Sequence, residues 1–175
     1  MWGKRFLVLV EGAIALGAIW WVTMVWQGPV VVPAMAMQDT AGRLALAAQW
    51  LLVPGLSLLF GILATTATRF FIPREFEGSQ DGLGRFMEVN LRYNRNTIEQ
   101  CLLAAIAWLG LALALPPSRL SIIPALALLF GAGRATFWIG YQSASWARAF
   151  GFGLTFYPTA IALIWLAMHY AGGGR

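Results

Sequence analysis

The chain has 175 residues, of which 59% are hydrophobic and 11% charged, with a formal net charge of +5. Soluble domains carry about 25% charged residues, so this composition excludes a soluble globular class. The positive balance does not indicate nucleic-acid binding, because the Lys and Arg residues flank apolar runs instead of clustering on a soluble face.

The first apolar run, about 5 to 27, follows Lys4 and Arg5 and is long enough to cross a bilayer, which takes roughly 20 helical residues. It is read as a true span and not as a signal peptide, although Ala34-Met35-Ala36 resembles a cleavage site. Glu11 is its one polar blemish and is expected to face another helix or the interface. Gly28-Pro29 through Gly42 reads as a short external loop. The second span, about 44 to 71, contains Pro54-Gly55, a kink signal. Next comes the most polar stretch, Pro73 to Arg85, with Arg74, Glu75, Glu77 and Asp81, expected as a solvated loop.

A third span covers about 86 to 115 and is stopped by Pro116-Pro117, since proline lacks the amide donor and disfavours helix in the residue before it. It forms a tight hairpin with a fourth span, about 119 to 142, and a fifth follows at about 148 to 170. Lipid cannot hydrogen-bond exposed backbone, so the expected fold is all-α, an integral membrane bundle of five spans. Trp2, Trp26, Trp50 and Trp146 lie near span ends, where indole rings favour the interface, and His169 closes the last run as an interfacial residue. Cys101 is the only cysteine, so neither an intrachain disulfide nor a cysteine-based metal site is available; no metal is expected.

Parity places the N-terminus, the 73 to 85 loop and the turn near 143 to 147 on one side. That side carries Lys4, Arg5, Arg69, Arg74, Arg85, Arg92, Arg95 and Arg148, against Arg43, Arg119 and Arg175 on the other. The positive-inside rule then makes the N-terminus and the charged end cytoplasmic.

The segment Glu88-Val-Asn-Leu-Arg92-Tyr-Asn-Arg-Asn96-Thr-Ile-Glu99 opens the third span. At 100° per residue, Glu88, Arg92, Arg95, Asn96 and Glu99 fall within an arc of roughly 100°. Charges at membrane depth are costly unless paired or facing a wet cavity, so the stripe is expected to look inward with its members bound to one another. Arg134 and Tyr141 stand seven residues apart on the fourth span, and Arg148 opens the fifth. Arg92, Asn96, Glu99, Arg134, Tyr141 and Arg148 are thus expected to converge on one pocket. Three guanidinium groups there suit an anion, carboxylates above all. The plain alternative is that Arg92 and Glu99 neutralise each other while Arg148 anchors the interface.

These residues resemble the MAPEG family, the membrane-associated proteins in eicosanoid and glutathione metabolism. Its second-helix pattern Glu-Arg-x-x-Arg-Ala-x-x-Asn-x-x-Glu is matched by Glu88, Arg92, Asn96 and Glu99 but not by Val89 or Tyr93. An arginine helix ending Gly-Tyr is matched by Arg134 and Gly140-Tyr141, and a further arginine followed by Ala-Phe-Gly by Arg148. The resemblance divides the chain into an extra N-terminal helix and loop, 1–42, and a four-helix domain, 43–175. It implies a homotrimer taking glutathione as co-substrate in cytoplasmic pockets between subunits. In it Arg92, Asn96, Glu99, Arg134 and Tyr141 hold the tripeptide, and Arg148 is catalytic, holding the sulfur as thiolate. Phe137, where some members have tyrosine, Gln100 and Val89 depart from the pattern.

Two functions follow as expectations. One is a membrane-bound glutathione-dependent transferase or peroxidase acting on lipophilic electrophiles that arrive through the bilayer. The other is a non-catalytic lipid-binding or scaffold subunit, with the first span free to attach a membrane partner protein. A membrane methyltransferase lacks its His-Pro or Glu-Glu signature here, and a transporter would show an internal repeat.

Overall fold

The computed structural model describes residues 2–25, 39–72 and 83–174. Among the described residues six α-helices follow in order: α1 Trp2–Val25, α2 Thr40–Trp50, α3 Leu52–Phe71, α4 Arg85–Ala114, α5 Ile122–Ser143 and α6 Ala149–Ala171. A 3-10 turn at Pro117–Arg119 joins α4 to α5. Most of the expected loop from Gly28 to Gly42, and of the polar loop carrying Arg74, Glu75, Glu77 and Asp81, lies outside the described residues.

Four helical stretches, Thr40–Phe71, Arg85–Ala114, Pro117–Ser143 and Ala149–Ala171, are long and apolar enough to cross a membrane. α1 adds a fifth helix of 24 residues, about 36 Å at 1.5 Å per residue. Asp39 opens α2 as a side-chain cap, its Oδ1 accepting the Gly42 amide at 2.7 Å. The expected kink is a break at Leu51, three residues before Pro54, because a proline ring clashes with the carbonyl four residues earlier, here that of Trp50. Leu115 is extended, as the residue before Pro116 must be, and it ends α4.

Two long-range bonds fix the antiparallel order. Arg43 Nη1 donates to the Leu115 carbonyl at 3.1 Å, tying the start of α2 to the end of α4. At the other end of the bundle, Arg85 Nη2 donates to the carbonyls of Gln142 and Ser143 at 3.1 and 3.2 Å. The starts of α4 and α6 and the end of α5 therefore share one end, where the charged band gathers.

The main core lies toward the opposite end, where Leu46, Ala47, Trp108, Leu111, Ile123, Phe130 and Leu166 pack from four helices. Trp108 meets Phe130 edge-on at 6.1 Å. Lipid removes the hydrophobic drive between helices, so close packing of small residues takes over. Gly110 makes room for Leu166, whose Cδ1 would lie 2.7 Å from a Cβ there. Glu11 does face another helix: α1 lies on α6, as described below.

Candidate functional site

The α5–α6 hairpin is held close by glycine. A side chain at Gly140 would strike the Ala147 carbonyl, and one at Gly151 the backbone of Phe137 and the Gly133 oxygen. Only glycine admits that approach, which explains why the Gly-Tyr and Ala-Phe-Gly fragments carry it. The approach sets Arg148 beside Tyr141, with the guanidinium carbon 4.5 Å from the ring centre, within cation–π range.

α4 supplies the facing wall. Its inward arc is filled by Tyr93, Thr97, Gln100 and Ala104, all buried. The expected inward orientation of the charged stripe is therefore corrected. Glu88, Arg92, Arg95 and Glu99 sit about 140° round the helix from that buried arc, on the surface of the single chain, where the Arg95 side chain is 88% exposed. Pairing within the stripe also runs differently. Arg92 meets Glu88 and Arg95 meets Glu99, each at 3.8 Å one turn apart on the same helix, in place of an Arg92–Glu99 pair. Such exposed pairs contribute little stability, which leaves them available to a ligand.

Five of the six expected residues, Arg92, Asn96, Glu99, Tyr141 and Arg148, line one cavity of about 600 Å³. Arg95 joins them, giving three guanidinium groups against one carboxylate. Arg92 Nη1 donates to the Tyr141 hydroxyl at 3.3 Å, so the phenol is fixed on one side by Arg92 and on its face by Arg148.

The sixth residue, Arg134, stands one layer behind. It is 1% exposed and is absent from the cavity wall. Nη1 donates to Asn96 Oδ1 at 2.8 Å and Nη2 to Thr155 Oγ1 at 2.7 Å, while the Phe137 ring centre lies 4.6 Å from its guanidinium carbon. Arg134 thus bridges α4 to α6 from α5. With its oxygen committed, Asn96 has its amide NH2 to offer the cavity, a donor suited to a carboxylate or carbonyl.

Several contributors were not anticipated from the sequence. Val8 of α1, Trp146 and Phe152 join Phe137 in the apolar part of the cavity wall. Asn90 Oδ1 accepts the Trp138 indole N–H at 2.8 Å, and Asn94 Nδ2 donates to the Gly61 carbonyl and Thr65 Oγ1 at 3.1 and 2.9 Å. Tyr93 donates to the Ser57 carbonyl at 3.0 Å. A periodicity of asparagines on the buried side of α4 was the available signal. His169 stacks on Trp165 near the far end of α6, and Cys101 Sγ donates to the Pro54 carbonyl at 3.4 Å.

A bundle that is all-helical among the described residues and built of apolar spans, with a basic cavity at one end between four of its helices, defines a multi-pass integral membrane protein. Residues 43–168 match the MAPEG family, and the chain belongs to it. Over 81 residues, 46% of this chain, it is 32% identical to Transmembrane protein 79 of Mus musculus and 30% identical to that of Bos taurus. The aligned stretch covers 21% and 20% of those proteins, so the chain spans about a fifth of the curated relatives it matches. No solved structure matches. α1 precedes the matched residues.

Proposed function

We propose that the protein is a membrane-bound, glutathione-dependent transferase or peroxidase acting on lipophilic electrophiles. The observation that carries this reading is the shared cavity of Arg92, Arg95, Asn96, Glu99, Tyr141 and Arg148. Its volume falls in the range of small-molecule sites, about 300–1,000 Å³. The donor set suits a tripeptide with two carboxylates, one ammonium and a thiol: guanidinium forks and the Asn96 amide for the carboxylates, Glu99 for the ammonium. A free thiol has a pKa of about 8.5, and an adjacent cation lowers it. Arg148, over the Tyr141 ring in the cavity wall, is the group assigned to hold the sulfur as thiolate. Attack by that thiolate on an electrophilic carbon forms the C–S bond as the leaving group departs.

In the proposed assembly three copies pack together, so that a neighbour covers the exposed stripe of Glu88, Arg92, Arg95 and Glu99. Arg95 and Glu99, the deeper members of the stripe, are otherwise left against lipid. The charged end faces the cytoplasm in this reading, by the excess of Lys and Arg there.

Two measurements test it. Glutathione at 100 times its dissociation constant should stabilise the detergent-solubilised protein by about 2.7 kcal/mol, and no thermal shift at millimolar glutathione would refute the site. Arg148→Ala should abolish most glutathione conjugation of a chromogenic electrophile while leaving that thermal shift measurable; unchanged turnover would remove the role given to Arg148. A second reading, a non-catalytic lipid-binding or scaffold subunit, draws on Phe137, which puts a ring without a hydroxyl in the cavity wall. Glutathione binding without turnover on any electrophile or peroxide would favour it.

A further inference from the structure

The first turn of α6 carries Arg148 at its N-cap position, with no side-chain cap of its own. A helix start leaves amide N–H groups without partners inside the helix, and within a membrane an unpaired amide is especially costly. Here the Phe150 amide donates to Glu11 Oε2 at 3.0 Å, across 139 residues of sequence. The carboxylate sits where the partial positive charge of the helix dipole favours it. It also takes the amide that an anionic ligand would otherwise use.

The contact is not incidental to a loosely placed helix. α1 meets α6 through small residues. A Cβ at Gly12 would lie 3.3 Å from the Tyr157 hydroxyl, and one at Gly153 would lie 2.9 Å from the Ala15 Cβ. Ala15 is fully buried, and it clusters with Ile19, Leu129 and Leu154. Glu11, Ala15 and Ile19 recur at the four-residue spacing of a single helix face, so the face that docks is the face that carries the carboxylate. One turn before Glu11, Val8 forms part of the cavity wall.

We propose that α1 is a working part of the site: Glu11 is a positioning residue that holds the first turn of α6, and with it Arg148, while Val8 closes the adjacent wall of the cavity. The ligand assignment in this inference rests on the glutathione reading; the placement of Glu11 does not. A side-chain cap typically shifts the population of a helix start by about five-fold. An affinity that requires the formed turn falls by the same factor as the competent fraction.

The test is hydrogen–deuterium exchange of the full chain in detergent, comparing wild type with Glu11→Ala and Glu11→Gln, with glutathione affinity measured on the same samples by thermal-shift titration. Glu11→Ala should speed exchange about five-fold in peptides covering residues 144–153 alone, and weaken glutathione binding by the loss of competent fraction, which is less than that factor where the turn is mostly formed. Glu11→Gln keeps an oxygen acceptor and should restore both. Unchanged exchange at 144–153 in Glu11→Ala would overturn the proposal, as would acceleration spread equally over α4 and α5, or failure of the Glu11→Gln variant to rescue. If the wild type binds no glutathione while the exchange pattern appears as expected, the ligand reading falls and the role of Glu11 in holding Arg148 stands.

Discussion

Replacing Arg134 by lysine isolates the job its guanidinium does. Two different nitrogens reach partners on two other helices, Asn96 at 2.8 Å on α4 and Thr155 at 2.7 Å on α6. An ammonium keeps the charge but is a single point on a shorter stem, so it can satisfy one of these partners and not both. Losing one charge-assisted bond costs about 1.5–3 kcal/mol. At about 2–4 °C per kcal/mol for a chain of this size, the melting temperature should fall by about 3–12 °C. Intrinsic tryptophan fluorescence in detergent reads the transition. An Arg134→Lys variant melting within about 1 °C of wild type would refute the bridging role, and Arg134 would then be a passive buried cation.

The close backbone approach at the hairpin predicts that Gly140→Ala, whose methyl would meet the Ala147 carbonyl, destabilises by about 1–3 kcal/mol as overpacked sites do; the same melts measure it. Gly153→Leu should wedge α1 off α6 at Ala15, and cross-linking between cysteines placed on the two helices should drop accordingly. Asn90→Ala strands the part-buried indole N–H of Trp138, an expected cost of about 1–3 kcal/mol, whereas Arg43→Ala at the far end loses one part-buried bond to Leu115 and should change stability by no more than about 1.5 kcal/mol.

The spans, their order and the Pro116-Pro117 hairpin were legible because apolar run length and proline chemistry are local properties. The convergence of Arg92, Asn96, Glu99, Tyr141 and Arg148 was legible too, since helical phase and the parity of spans set both face and depth. Phase alone did not say which arc of α4 turns inward. Tyr93, against Ser57 of α3 and Phe137 of α5, and the buried Thr97 and Gln100 win that side, which leaves the charged stripe outward. Arg134 shares a face with Tyr141 by spacing, yet helical side chains lean back toward the N-terminus, and its guanidinium ends among Phe130, Asn96 and Thr155, behind the cavity. Glu11 showed only as a carboxylate out of place in an apolar run. Its partner, a backbone amide 139 residues away, is created by packing and has no sequence signal.

The 30 residues of α4 make a rod of about 45 Å, and a hydrocarbon layer is about 30 Å thick. With Ala114 at one boundary of that layer, about the first ten residues of the rod stand beyond the other. Arg92 then lies at the level of the lipid phosphates, and Glu99, seven residues on, about 10 Å deeper. On the proposed function, the cavity between them straddles the seam of water and oil, so that a charged hydrophilic molecule and a lipid-soluble one can enter it from opposite sides without either leaving its own solvent.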